Sequence, residues 1–400
     1  MKHTKTHFIA IHFLFIICIV IATGCSVHKK TPTFQLKEKK ELTISLNEVY
    51  EEKGTTIKDC DIKGAIDTSK EGTYTITYTA DNQSLTRTIH VADPNRITIN
   101  LNGSKDTYVK EGDPYIESHC HVIDQKDGNL SNKVNISGKV DTSTPGDYPI
   151  IYSVTNSTHY TKEITRNVHV IAKKQFEENT AGIPVLMYHW VYTKDDKPEK
   201  MDVNYIKDTT LAEQLEYLQK EHFYYPSFEE LQAYIQGRIS LPKKSVILTF
   251  DDGRNVFLKY GIPVLEKYKV PATSFVIAKD QGKAKVKKYA SEYISYQSHS
   301  YGMHTGGGNQ GHGGIIYAMT KDEIVSDLKR SQKIVQNKEA FAYPYGDVSE
   351  DGKSAVKEAG FLCAFTTHYG KCKKGDNPYA LTRVRVCGDY SLTQFKSLVN

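Results

Sequence analysis

The 400-residue chain has almost no excess of charge of either sign, since 52 Lys plus Arg face 47 Asp plus Glu and leave only +5. Proteins that track a polyanion carry far more basic charge, so composition gives no ground for nucleic acid as a partner. Long apolar runs are equally scarce. The candidate run, Phe8 to Ala22, is broken by His12 and is about 15 residues long, whereas a membrane span needs roughly 20. A bundle of transmembrane helices is therefore excluded. No Cys-x-x-Cys pair occurs, and there is a single Trp, Trp190. What is present is an ordinary globular mixture, 39% hydrophobic and 25% charged, long enough for two or three domains at about 150 residues each. The 27 Tyr and 14 Phe suit either Tyr-rich strands or sugar-facing clefts.

At the N-terminus Lys2 and Lys5 precede the short apolar run, the pattern of a secretory signal. Ala22-Thr23-Gly24-Cys25 follows and resembles the lipobox of bacterial lipoproteins, with Ala in place of the usual first Leu. The resemblance implies a signal peptide over residues 1–24 and a diacylglycerol on Cys25, whose two chains suffice for stable anchoring. Residues 25–41, rich in Lys, then form a linker, and the protein is expected on the extracellular face of a bacterial cell membrane. Cys18 would leave with the signal. Cys60, Cys120, Cys363, Cys372 and Cys387 remain, an odd number. Cys60 and Cys120 read as small buried hydrophobes at equivalent places in two repeats; pairing of Cys363 with Cys372 stays open.

The repeats follow the linker. Ile66-Asp-Thr-Ser69 with Gly72-x-Tyr74-x-Ile76-x-Tyr78 recurs as Val140-Asp-Thr-Ser143 with Gly146-x-Tyr148-x-Ile150-x-Tyr152. A period of two marks half-buried strands, each introduced by a Gly-led turn. Each copy closes on a further alternating strand, Thr86 to Val91 and Thr165 to Val170. Two small all-β sandwiches, residues 42–93 and 96–172, are expected, and they resemble bacterial Ig-like surface domains. The acidic stretch Asp124 to Asn129 reads as a tight turn, because the ligand spacing of a calcium loop is absent.

From Ile183 strands and helices alternate. Apolar runs occur at Pro184–Tyr188, Ser245–Phe250, Ala272–Ile277, Tyr293–Gln297, Ala340–Tyr343 and Phe361–Thr367. Helical patterns lie between them, at Thr210–Glu221, Phe228–Gln236, Asn255–Tyr268, Lys321–Gln336 and Gly352–Ala359. Thr320 and Glu323 form a capping box, and Gly237 and Gly360 stand at helix stops. This order predicts parallel strands with helices outside, as a distorted (β/α) barrel of seven or eight strands over residues 183–400. In such barrels the chemistry sits just past the strand ends. Asp251-Asp252-Gly253 follows one run, where a turn through Gly lets both carboxylates enter one pocket. Ser298-His299 to His304 follows another, and two His with one carboxylate are the three protein ligands of a catalytic zinc with an open position. Phe341-Ala-Tyr-Pro-Tyr345-Gly346 supplies a wall and a backbone N–H.

In this order the three motifs resemble the polysaccharide deacetylases of the NodB homology family, carbohydrate esterase family 4. The family's usual second motif would put the second imidazole at Met303. The one-residue shift to His304, with Pro184-Val-Leu-Met-Tyr188-His189 at the start, is similar to the branch of poly-N-acetylglucosamine deacetylases. Membership implies Asp252, His299 and His304 as ligands of a divalent metal, Zn²⁺ first among them. It implies Asp251 as general base and the Tyr345 N–H as oxyanion donor. Glu339 and Ala342 stand where family members often carry Arg, which leaves Arg383 or Arg385 to orient the base. The family's last motif supplies a His near the C-terminus as general acid, yet no His follows His368; the resemblance to the branch implies that His189, of the opening Tyr188-His189 pair, takes that role. Tyr188, Trp190, Tyr343 and Tyr345 are candidates for stacking on sugars. His312, amid Gly306 to Gly314, reads as part of a mobile loop beside the pocket.

The expected activity is hydrolysis of N-acetyl groups, carbon–nitrogen bonds outside peptides, in poly-N-acetylglucosamine or the peptidoglycan glycan. O-acetyl release from xylan is the alternative substrate reading. Non-haem iron oxygenases share a two-His, one-carboxylate set but need no second Asp beside it. A surface adhesin with a decayed catalytic domain would be expected to have lost ligands, and Asp251, Asp252, His299 and His304 are all present.

Overall fold

The computed structural model describes residues 33–400, so the signal and lipidation expectations for residues 1–25 lie outside the described residues. Among those described, no helix is long and apolar enough to cross a membrane.

The first repeat forms one four-stranded sheet in which Gly72–Ala80 lies between Asp61–Lys63 and Gln83–Ala92, and Glu41–Ser45 runs parallel to the last. Alternation places Ile76, Tyr78 and Ile89 inside, where irregular chain carrying Phe34, Leu36 and Tyr50 supplies the opposing layer. The second repeat builds two true layers. Asp106–Lys110, Asn135–Ser137, Gly146–Thr155 and Thr161–Ile171 make one sheet, and Ile97–Leu101, Cys120–Asp124 and Gly128–Asn129 the other. Each domain buries one arginine over its second strand tyrosine: Arg87 over Tyr78 and Arg166 over Tyr152, both 5.7 Å from the ring centre. The Asp124 stretch is a turn, as expected. Its carboxylate accepts from Lys126 N and Asp127 N at 2.8 Å. All five described cysteines are free. The expected equivalence of Cys60 and Cys120 fails, because Cys120 opens a strand of the three-stranded sheet while Cys60 precedes a strand of the four-stranded one and is only half-buried.

Beyond Ile183 seven parallel strands close into a barrel in chain order. They are β1 (Val185–Tyr188), β2 (Ile247–Phe250), β3 (Ala272–Val276), β4 (Ile294–Ser298), β5 (Ala340–Ala342), β6 (Cys363–Tyr369) and β7 (Leu381–Arg385). Closure comes from β7 pairing back onto β1 at Leu186↔Val384. Around them lie α1 (Asp208–Lys220), α2 (Phe228–Ile235), α3 (Ile262–Tyr268), α4 (Gly282–Lys288), α5 (Lys321–Val335), α6 (Glu350–Glu358) and α7 (Leu392–Val399). The capping box at Thr320 and Glu323 starts α5. The helix expected over Asn255–Tyr268 is interrupted: Phe257–Gly261 is a widened turn ahead of α3. Pro263 explains it, having no N–H to give and a ring that crowds the carbonyl four residues back.

The second Ig-like domain is seated on the end of the barrel where the strands begin. Glu339, just before β5, accepts from His121 Nε2 at 2.9 Å, Asn102 Nδ2 at 2.7 Å and Gln297 Nε2 at 2.8 Å. Burial disfavours both charges, yet their attraction wins, raising the His121 imidazole and lowering the Glu339 carboxyl. Asn100 Nδ2 meets the Glu292 carbonyl at 2.8 Å, and Ser118 and Ser227 share a hydroxyl contact of 2.8 Å. The opposite end, where the strands finish, stays clear of the Ig-like domains.

Candidate active site

Each expected site residue lies at or just beyond the C-terminal end of a barrel strand. Asp251 N donates to the Tyr188 carbonyl at 3.0 Å, which ties the end of β2 to that of β1. Asp252 then takes a left-handed backbone, φ +71°, followed by Gly253 at +59°. Asp tolerates this region better than most residues, and the turn swings two consecutive carboxylates to the same end of the barrel. A side chain on Gly253 would stand 2.9 Å from Val276 Cγ2, so the turn needs glycine. Ser300, φ +72°, performs the same reversal after β4. Asp327 on α5 holds the loop that follows, accepting from Tyr301 N at 2.7 Å and Gly302 N at 2.8 Å.

Asp252, His299 and His304 converge. Their donor atoms lie within 4.8 Å of one another, with Asp252 Oδ1 3.6 Å from His299 Nε2 and 3.4 Å from His304 Nε2. His299 Nδ1 is 2.8 Å from the Ala342 carbonyl, so that nitrogen carries the proton and Nε2 keeps its lone pair for the cluster. Burial pushes His299 down to about 4, which keeps the ring neutral. Burial alone would raise the Asp252 carboxyl, but the His304 hydrogen bond and the neighbouring imidazoles hold it far below the usual range. Two imidazoles with a carboxylate are the donor set a divalent metal of the zinc kind requires, with a coordination position left for water. The residues present fit such an ion. Met303, by contrast, is buried in an apolar cluster.

Asp251 points elsewhere. Arg383 donates to both its oxygens, Nη1 to Oδ1 and Nη2 to Oδ2 at 2.7 Å each, and also reaches Thr249 Oγ1 and the Thr366 carbonyl. Burial works to raise this carboxyl, and the guanidinium overcomes it, leaving Asp251 below the ordinary Asp value. Of the two arginines singled out in the sequence, Arg383 is the one on Asp251; Arg385 donates to Asn204 Oδ1 instead. His189 directly follows β1, its ring edge-on to Trp190. Burial lowers the imidazole more than Asp251 and Asp252 raise it.

The aromatic candidates divide. Tyr188 is buried, stacked on Phe250 and bonded to Gln214 Oε1. Tyr343 is fully buried and donates to the Tyr379 carbonyl. Trp190 is also largely buried, and its Nε1 donates to Asp252 Oδ2 at 2.8 Å while Arg254 covers its ring at 3.9 Å. These three are therefore not free faces for a sugar. Tyr345 is, at 37% exposed, with φ +62° and its ring 4.6 Å from that of His304. The Gly-rich loop around His312 is tied down rather than loose: Asp347 accepts from His312 N and Gly314 N at 2.8 Å. No sequence signal marked Asp327, Asp347 or the Trp190 hydrogen bond, since each is one polar group whose partner is distant in the chain.

Comparison with known proteins gives two families. Residues 34–91 and 99–170 each match the bacterial surface protein Ig-like domain, and residues 238–364 match polysaccharide deacetylase. A poly-beta-1,6-N-acetyl-D-glucosamine N-deacetylase of Staphylococcus aureus (strain MRSA252) is 24% identical over 241 residues, 56% of this chain and 78% of its own. The protein of the same name from Staphylococcus epidermidis is 25% identical over 250 residues, 56% of this chain and 85% of its own. Among solved structures, IcaB from Ammonifex degensii is 27% identical with a TM-score of 0.47, covering 56% of this chain and 99% of that one.

Proposed function

We propose that this chain, which carries two bacterial surface Ig-like domains and a polysaccharide deacetylase domain, removes N-acetyl groups from a polysaccharide of N-acetylglucosamine, of the poly-N-acetylglucosamine type. The observation that carries this reading is the division of labour between adjacent carboxylates: Asp252 faces two imidazoles, and Asp251 is kept for a proton by Arg383.

Asp252, His299 and His304 would hold a divalent metal, and that ion would supply Lewis-acid activation of the acetyl carbonyl and of a water. Asp251, ionised and fixed by Arg383, accepts the proton of that water as the new C–O bond forms. The Tyr345 backbone N–H donates to the oxyanion that develops, a contribution of about 3 kcal/mol for one such donor. His189 gives a proton to the nitrogen as the C–N bond breaks. The products are acetate and a free amine on the sugar. Tyr345 offers its exposed ring to a pyranose face. The basic, apolar N-terminal segment and Cys25 support a lipid-anchored protein on the extracellular face of the membrane.

Acetate release from poly-N-acetylglucosamine, peptidoglycan glycan and acetylated xylan tests the reading. The first is expected to react, with loss on chelation and recovery with Zn²⁺, and with no recovery in Asp251→Asn. Release from xylan alone, or from none of the three, would overturn it. Radioactive palmitate incorporated by the wild type and not by Cys25→Ala tests the anchor.

A further inference from the structure

Away from the barrel, one group of side chains offers metal donors that the deacetylase reading leaves unused. Glu41 and His90 belong to the first Ig-like domain and His159 to the second, and one ligand atom from each lies within 4.8 Å of the other two. We propose that these residues form a second divalent-metal site, of the Zn²⁺ type, which clips the two Ig-like domains together.

The strand register puts the donors there. Glu41–Ser45 runs parallel to Gln83–Ala92 with Thr43 opposite His90, so Glu41 and His90 emerge on one face of the sheet. Thr73 stands opposite His90 on the other neighbouring strand. Its hydroxyl is 2.9 Å from His90 Nδ1, which turns Nε2 toward Glu41 Oε1 at 2.8 Å. A hydrogen bond on one ring nitrogen that aims the other at the site is what ligand histidines use to hold tautomer and orientation. The ring of the exposed His159 lies over that of His90, centroids 4.1 Å apart, and on binding turns out of the stack for its in-plane nitrogen lone pair to meet an ion shared with His90.

His159 is delivered by a stiff turn. Asn156 Oδ1 accepts from Thr158 N and Tyr160 N, and Asn156 Nδ2 donates to Asp124, which is itself paired with Arg96 between the two domains. Thr43 Oγ1 donates to the His159 carbonyl at 3.0 Å, so the domains already touch at this point. Two imidazoles and one carboxylate suit Zn²⁺ and its borderline neighbours, whereas calcium and magnesium take shells of oxygen. Because the ligands come from two domains, the ion binds the docked arrangement alone and stabilises it by mass action.

The test isolates this site from the catalytic one. Full-length chain carrying Asp252→Asn and His304→Ala, stripped of metal, is titrated with Zn²⁺ by calorimetry and equilibrium dialysis. One equivalent is expected to bind, and adding either His159→Asn or Glu41→Gln is expected to remove it. Asn is chosen at 159 because it accepts the φ of +60° found there. In an otherwise wild-type chain, His159→Asn is expected to leave acetate release unchanged. No zinc taken up by the starting variant, or uptake unchanged by both additions, overturns the proposal. A failed deacetylase assay leaves this readout intact.

Discussion

Arg383 grips the Asp251 carboxylate with two parallel hydrogen bonds of 2.7 Å, and both partners are largely buried. A fork of this geometry fixes the direction of the carboxylate lone pairs as well as its charge. In the proposed reaction, the residue that takes the proton is therefore aimed before any substrate arrives.

Replacing Arg383 by Met strands that carboxylate in the interior. Stability is expected to fall by about 3–5 kcal/mol, the usual cost of removing one partner of a buried pair. The sign in pH follows from the lowered Asp251 carboxyl. The pair's stabilisation is complete above the unfolded Asp range and is lost as pH falls through the depressed folded value. The proposed reaction needs the ionised form, so the acid limb of kcat/KM should move to higher pH in Arg383→Lys. A limb that stays in place would show that Arg383 does not set the base.

Trp190→Phe keeps the ring and deletes the donor to Asp252 Oδ2. Metal affinity is expected to drop about 10–100-fold, as for other groups that orient a ligand from behind, with kcat nearly restored at saturating Zn²⁺. Competition against a zinc chelator measures it. Unchanged affinity would return Trp190 to a packing role.

His189→Gln should lower kcat by about 10²–10⁴, the range for a lost general acid, while KM for the glycan changes little. Steady-state kinetics on a soluble oligosaccharide distinguish this from a binding defect, which would raise KM instead.

Glu178 joins Lys110 of the second Ig-like domain to Lys374 of the barrel, at 2.9 Å from each. Hydrogen bonds from those two lysines bring its carboxyl down to about 2. Its stabilisation is present above pH 4.5 and disappears as pH falls toward 2. The melting temperature of Glu178→Gln should therefore lie below wild type at pH 7 and meet it near pH 2. Parallel melting curves across that range would count against the clamp.

Much of the barrel could be read from the chain because its strands are apolar on both sides and its site residues follow them directly, as with Ile247–Phe250 and Asp251. Strand β7 escaped, since Leu-Thr-Arg-Val-Arg puts a guanidinium inside the barrel and breaks the apolar run. Helices α4 and α7 are short, and α4 is so rich in Lys that no apolar stripe stands out. The aromatic roles were illegible for another reason. Whether a Tyr beside the site faces sugar or core depends on partners such as Gln214 and Tyr379, far away in sequence. Glu339 lies at the other end of the barrel, against His121, and the guanidinium on Asp251 comes from Arg383 on β7 instead.

That seating against His121 has a geometric consequence. With the second Ig-like domain fixed to the floor of the barrel, the mouth that holds Asp251 opens at the opposite end. In the proposed reaction a glycan strand then enters from the side that the second Ig-like domain leaves open.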